Sequence, residues 1–166
     1  MIEALVAISI LVIGILSAFV LVIRTLANTP HIQSRLIASN LAQEGVELIR
    51  QIRDTNFMQS TTFRNGLEAG EYQMDVVNRE LIDFNKNDFL KFDNDSKIYS
   101  YVSGDNAPFY LQRKIVISDV KDRTNSFKVN IIMTWCVKRS EEQCLRKPTY
   151  TLNIEDHLYN YHNLPE

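Results

Sequence analysis

The chain has 166 residues, with 20 acidic against 18 basic side chains and a formal net charge of −2, so it offers no basic field for nucleic acid. It contains no Gly-rich phosphate loop, no nucleophile elbow and no His-Glu-x-x-His run. Without such a constellation we expect no enzyme, no cofactor and no bound metal.

From Ala4 to Ile23 the sequence is apolar apart from Ser9, Gly14 and Ser17, with Glu3 at its head and Arg24 as the next charge. About twenty such residues at a helical rise of ~1.5 Å span the ~30 Å hydrocarbon layer of a bilayer. A cleaved secretory signal needs basic residues ahead of a shorter apolar run, and none precedes Arg24. Two readings of Glu3 remain. It lies in the headgroup zone of a plain anchor, or it is kept because something meets it, since an ionisable group at mid-bilayer costs about 2.5–3.5 kcal/mol and usually has a partner.

Pro30, after Asn28 and Thr29, removes a backbone donor and disfavours helical angles at the residue before it, which predicts a kink or a short melted stretch. The helical period resumes from Ile32 to Ile52. Leu36, Ile37, Leu41, Gly45, Leu48 and Ile52 recur at spacings of three and four, widened by Ala38, Ala42, Val46 and Ile49, and such a stripe must lie on an apolar surface. The expected divisions are therefore 1–28, an apolar half-helix; 29–56, an amphipathic half-helix; and 57–166, a globular β region. Met1 to Asp54 would be about 80 Å long as a straight helix.

Polar residues dominate 56–65, as in a surface connection. Glu71 to Val77 alternates and predicts a first strand. Leu81 to Ser96 reads as a loop rich in Asp and Asn. Its spacing does not match an EF-hand loop and the central Gly is missing, so calcium is set aside. Ile98 to Val102 predicts a short strand, followed by a turn over Ser103, Gly104, Asp105 and Asn106. Phe109 to Ile117 alternates through Phe109, Leu111, Ile115 and Ile117. The clearest run places Phe127, Val129, Ile131, Met133 and Trp135 on one face, and Thr149 to Ile154 repeats the pattern with Tyr150, Leu152 and Ile154. Ser118 to Ser126 reads as a hairpin loop. The whole predicts an α+β chain, a long N-terminal helix packed on a C-terminal antiparallel sheet with one buried face.

His31, His157 and His162 are the only histidines. The last two, near Glu155 and Asp156, read as part of an exposed tail.

Met-Ile-Glu-Ala-Leu-Val-Ala-Ile, running into an unbroken apolar helix, resembles the start of a mature type IV pilin or type II secretion pseudopilin. Leu41 to Asp54 resembles the second half of the long helix in such proteins. The resemblance implies the pilin fold and a structural subunit of a helical filament, with roles in adhesion, motility or DNA uptake. Glu3 matches the family's glutamate and would pair with the N-terminus of a neighbouring subunit, while Leu5, Ile8, Val12, Ile15, Leu16 and Phe19 would lie in the filament core. It further implies a leader and two mature residues ahead of Met1, removal of that leader by a prepilin peptidase, and an assembly platform. Residence in the inner membrane would be followed by incorporation into an extracellular filament of identical or homologous subunits. The alternative is a single-pass membrane-anchored ectodomain that binds a ligand or partner as a monomer.

Cys136 and Cys144 flank a charged loop. Two ligands are too few for a structural metal and the spacing is not Cys-x-x-Cys. On the outer side of a membrane thiols oxidise, and members of this family commonly carry a C-terminal disulfide-bounded loop. A disulfide closing the loop would contribute about 2–3 kcal/mol in the loop-entropy account.

Overall fold

The computed structural model describes residues 2–105, 109–121, 123–137, 140–146 and 150–161. His162, and with it part of the expected tail, lies outside the described residues, as do Met1, Asn106 and Thr149. The chain divides into two compact units, 1–35 and 36–166.

Helix α1 runs from Ile2 to Met58 with Pro30 inside it, so the expected melted stretch at residues 28–30 does not occur. Only one backbone donor is lost at a proline, and cooperative helix on both sides holds the intervening residues in helical geometry. The hydroxyls of Thr25 and Thr29 bond back to the carbonyls of Leu21 and Thr25, at 2.9 and 3.1 Å.

Within residues 36–166, the last part of α1 is followed by β1 (Gly70–Gln73), β2 (Ile82–Asp83), β3 (Lys91–Phe92), β4 (Tyr99–Ser100), β5 (Phe109–Val120), β6 (Arg123–Val137), α2 (Glu141–Arg146) and β7 (Tyr150–Tyr159). Five strands form one antiparallel sheet in the order β2-β1-β5-β6-β7, and β3 pairs with β4 in a separate two-stranded ribbon. Alternation sets the register. Leu111 opposes Trp135, Ile115 opposes Ile131 and Ile117 opposes Val129, which in turn faces Asp156 of β7. A strand presents every second residue to one side, so Phe127, Val129, Ile131, Met133 and Trp135 all point inward and are buried.

The helix covers that face with Ala38, Leu41, Ala42, Val46, Leu48 and Ile49, all buried in the same cluster as the strand residues. Gly45 permits the close approach, because a Cβ there would stand 3.1 Å from Arg113 Cδ and 3.4 Å from Ile131. Leu36, expected in the stripe, is exposed. At its end of the period the seam is taken over by Ile37 and Ala38.

The expected first strand stops at Gln73. Buried Asp75 accepts the amides of Val77 and Asn78 through Oδ1, at 3.0 and 2.8 Å, and this local turn competes with strand pairing. The 81–96 stretch expected to be loop contains β2 and β3, two residues each. Much of the expected loop at 118–126 is strand, with a register shift at Asp119/Val120. The expected tail around residues 155–157 is instead part of β7, where Glu155 opposes Asn130 and His157 opposes Lys128.

Candidate functional site

Every side chain from residue 2 to residue 29 is exposed. The six positions expected in a filament core, Leu5, Ile8, Val12, Ile15, Leu16 and Phe19, fall on one side of α1 by their spacing. Ile2, Leu11, Ile13 and Leu21 are exposed as well, so the segment is apolar all round, the pattern of a helix that lives in lipid or in a dry protein assembly. It is long and apolar enough to cross a membrane.

The polar atoms in this segment are turned inward. Ser9 Oγ donates to Leu5 O and Ser17 Oγ to Ile13 O, each at 2.8 Å. With the backbone ladder complete and the hydroxyls bonded to i−4 carbonyls, only the Glu3 carboxylate remains as a strongly polar group before Arg24. Glu3 lies in the first turn of α1, where a negative charge suits the helix dipole, and it makes no ion pair with any described residue.

A second polar constellation lies inside the 36–166 unit and was not read from the sequence. Arg113 of β5 is fully buried. Its Nη1 donates to Leu41 O of α1 at 2.9 Å and to Glu44 Oε1 at 2.8 Å, and its Nη2 donates to Met74 O. Tyr101 donates its hydroxyl to Arg113 O at 3.0 Å, and Asp75 Oδ2 accepts the Tyr101 amide at 2.8 Å. Part of Tyr101 reaches the surface, but its hydroxyl end lies in this core. Burial pushes its phenol up to about 12. These bonds join the helix, the end of β1, the segment after β4 and the centre of β5. Arg113 occupies the inward parity between Leu111 and Ile115, and that position was the available signal.

Cys136 and Cys144 form a disulfide with their Cα atoms 5.7 Å apart, as expected. Both are buried against Phe89 and Tyr110. Of the loop that they close, Ser140, Glu141, Glu142 and Gln143 are exposed. His31 sits on α1 directly after Pro30, and His157 Nε2 stands 3.3 Å from Glu155 Oε1 on β7. No group of three metal-ligating side chains occurs among the described residues.

The described residues thus offer a membrane-length apolar surface with a carboxylate near its end, and a folded unit closed by its own core. No protein-family model, no curated protein and no solved structure matches this chain.

Proposed function

We propose that this chain is a structural subunit of a type IV pilus-like filament, held in the inner membrane before assembly and then extracted into an extracellular helical array of identical or homologous subunits. The observation that carries the reading is the exposed apolar surface of residues 2–26 with the single carboxylate of Glu3 at its head. Support comes also from the resemblance of the first eight residues to pilin-like proteins, and from the amphipathic continuation of the same helix beneath an antiparallel sheet.

In this mechanism lipid contacts on the apolar helix are exchanged for contacts with neighbouring helices, which keeps Leu5, Ile8, Val12, Ile15, Leu16 and Phe19 out of water throughout. Burying each Leu, Ile or Phe side chain contributes about 1.5–3 kcal/mol relative to water. Glu3 then meets the N-terminal amine of a neighbour in a dry bundle. Removing one partner of a buried ion pair strands the other and costs about 3–5 kcal/mol. Glu3→Ala is thus expected to leave membrane insertion intact while filament yield falls at least about tenfold. Electron microscopy of sheared surface appendages, with mass spectrometry of their subunits, measures that yield. Normal filaments from the alanine variant would remove Glu3 from assembly.

The second reading is a single-pass anchored ectodomain, favoured by the self-contained core of residues 36–166. It predicts a monomer in the membrane and no filaments from the unaltered chain.

A further inference from the structure

We propose that Asn65 is a self-modification site, where the side-chain amide is lost to the following backbone nitrogen and the residue becomes aspartate or isoaspartate without an enzyme. Asn65-Gly66 is the one asparagine–glycine pair in the chain. Both residues are exposed in the connection between α1 and β1.

The reaction needs a free nucleophile beside a free electrophile. Gly66 has no side chain to shield its nitrogen, and a Cβ built there would meet nothing within 4 Å. Its amide donates to no described residue, and the Asn65 side chain makes no hydrogen bond with one. At other loop asparagines the amide that would attack is taken. After Asn78 the Arg79 amide donates to Asp75 O, and after Asn87 the Asp88 amide donates to Asn85 O, each at 3.1 Å. After Asn94 the Asp95 amide donates to Asp93 Oδ1 at 2.8 Å. Attack at those three sites must first break a bond, and the attacking residue carries a side chain that crowds the ring.

Water is the only co-reactant. Solvent base removes the Gly66 amide proton, the nitrogen bonds to Asn65 Cγ, and the side-chain nitrogen takes up a proton and leaves as ammonia. The five-membered succinimide then adds water at either carbonyl. Opening at Cγ restores the normal backbone and gives aspartate. Opening at the main-chain carbonyl gives isoaspartate, with the chain rerouted through Cβ.

The two products differ in what they do to the fold. Each adds a negative charge next in sequence to Arg64, which already pairs with Asp119 at 2.6 Å. Isoaspartate also inserts a carbon into a closed turn, in which Leu67 N donates to Arg64 O at 2.8 Å. The Asn65 carbonyl accepts the buried Asn56 side chain at 2.8 Å, a bond that ties the end of α1 to this turn. The isoaspartate form therefore loosens the α1–β1 connection, and the aspartate form keeps it. The proposal needs only the 36–166 unit and stands apart from the filament reading.

The test is a time course of the full chain in detergent micelles, in warm and mildly alkaline buffer made with heavy-oxygen water, read by peptide mapping and mass spectrometry. Position 65 is expected to gain heavy oxygen and lose its amide at least about tenfold faster than Asn78, Asn87 or Asn94. Asn65→Gln, a change at an exposed side chain that leaves the φ of 74° at Gly66 undisturbed, is expected to cut early ammonia release and isoaspartyl methyltransferase labelling by a similar factor. In the isoaspartate fraction the Leu67 amide is expected to exchange with solvent at least about tenfold faster than in the unconverted chain. Conversion of another of these asparagines as fast as Asn65 would overturn the proposal. So would ammonia release unchanged in Asn65→Gln, and unchanged exchange at Leu67 would overturn its structural consequence.

Discussion

Between residues 2 and 29 no side chain of α1 is covered, whereas from Ala38 onward the same helix buries Ala38, Leu41, Ala42, Val46, Leu48 and Ile49 against strands. Both stretches have complete helical backbones and both are rich in Leu, Ile, Val and Ala. They differ in where the polar groups fall. In the second stretch Gln43, Glu47 and Gln51 stay exposed while the stripe between them is buried, so the helix has one dry face and one wet face. In the first there is no wet face at all. Helix propensity alone does not separate the two. The solvent each was built for does, and a chain that needs two solvents must change its surroundings between them.

Deleting residues 1–28 breaks that comparison most sharply. The remaining chain retains the buried cluster, the disulfide and the Arg113 bonds, and is expected to be a folded, soluble monomer without detergent, by gel filtration and circular dichroism. A truncated chain that stays unfolded would mean that the two stretches are not separable.

Within the folded unit the largest single effect is expected at Arg113. Arg113→Ala removes the donors to Leu41 O and Met74 O and leaves a cavity, at a cost of about 3–5 kcal/mol, as for other broken buried charge networks. Glu44→Gln keeps an oxygen acceptor for Nη1 and the carbonyl bonds, but it removes the carboxylate paired with a fully buried guanidinium, so it should cost about 1–3 kcal/mol, less than Arg113→Ala. Urea unfolding of both variants checks the ratio. Equal losses would make the ion pair, rather than the carbonyl contacts, the source of the effect.

Tyr101 gives a smaller effect with a defined sign. Its phenol titrates near 10 when unfolded and is pushed up to about 12 by burial. The folded state therefore holds the proton more tightly. Stability from this group is fully present below pH 10 and is lost as pH rises from 10 towards 12, by about 2–3 kcal/mol in all. Tyr101→Phe should flatten that alkaline decline in a urea series at rising pH. An identical decline in both proteins would assign it to other groups.

What could be read from the sequence follows the same division. The apolar run, the helix stripe and the alternation of Phe127 to Trp135 are repeated signals, and the α+β fold with its antiparallel sheet follows from them. Single residues that work against their surroundings were harder. Arg113 breaks the apolar alternation of β5 by its charge, and only the carbonyls of Leu41 and Met74, brought there by tertiary packing, make it a core residue. Pro30 carries a strong local breaker signal that the flanking helix overrides. Asp75 ends β1 through a side-chain turn that looks, in sequence, like one more polar position in an alternating strand. The two-residue strands β2 and β3 are too short for any period to register. At the apolar helix the membrane-length run was legible, but the choice between lipid and a neighbouring helix rests on what surrounds it.

That choice is open to one direct measurement. Leu16→Cys places a thiol on the apolar stripe, and the native cysteines are already paired with each other. Mild oxidation of cells bearing assembled appendages, followed by non-reducing electrophoresis, reads who lies beside residue 16. The filament account predicts a covalent dimer from this position, and a ladder beyond trimer when Leu5→Cys is added on the same stripe. A monomer band alone, from cells with the protein at normal level in the membrane, would contradict it and leave the anchored ectodomain.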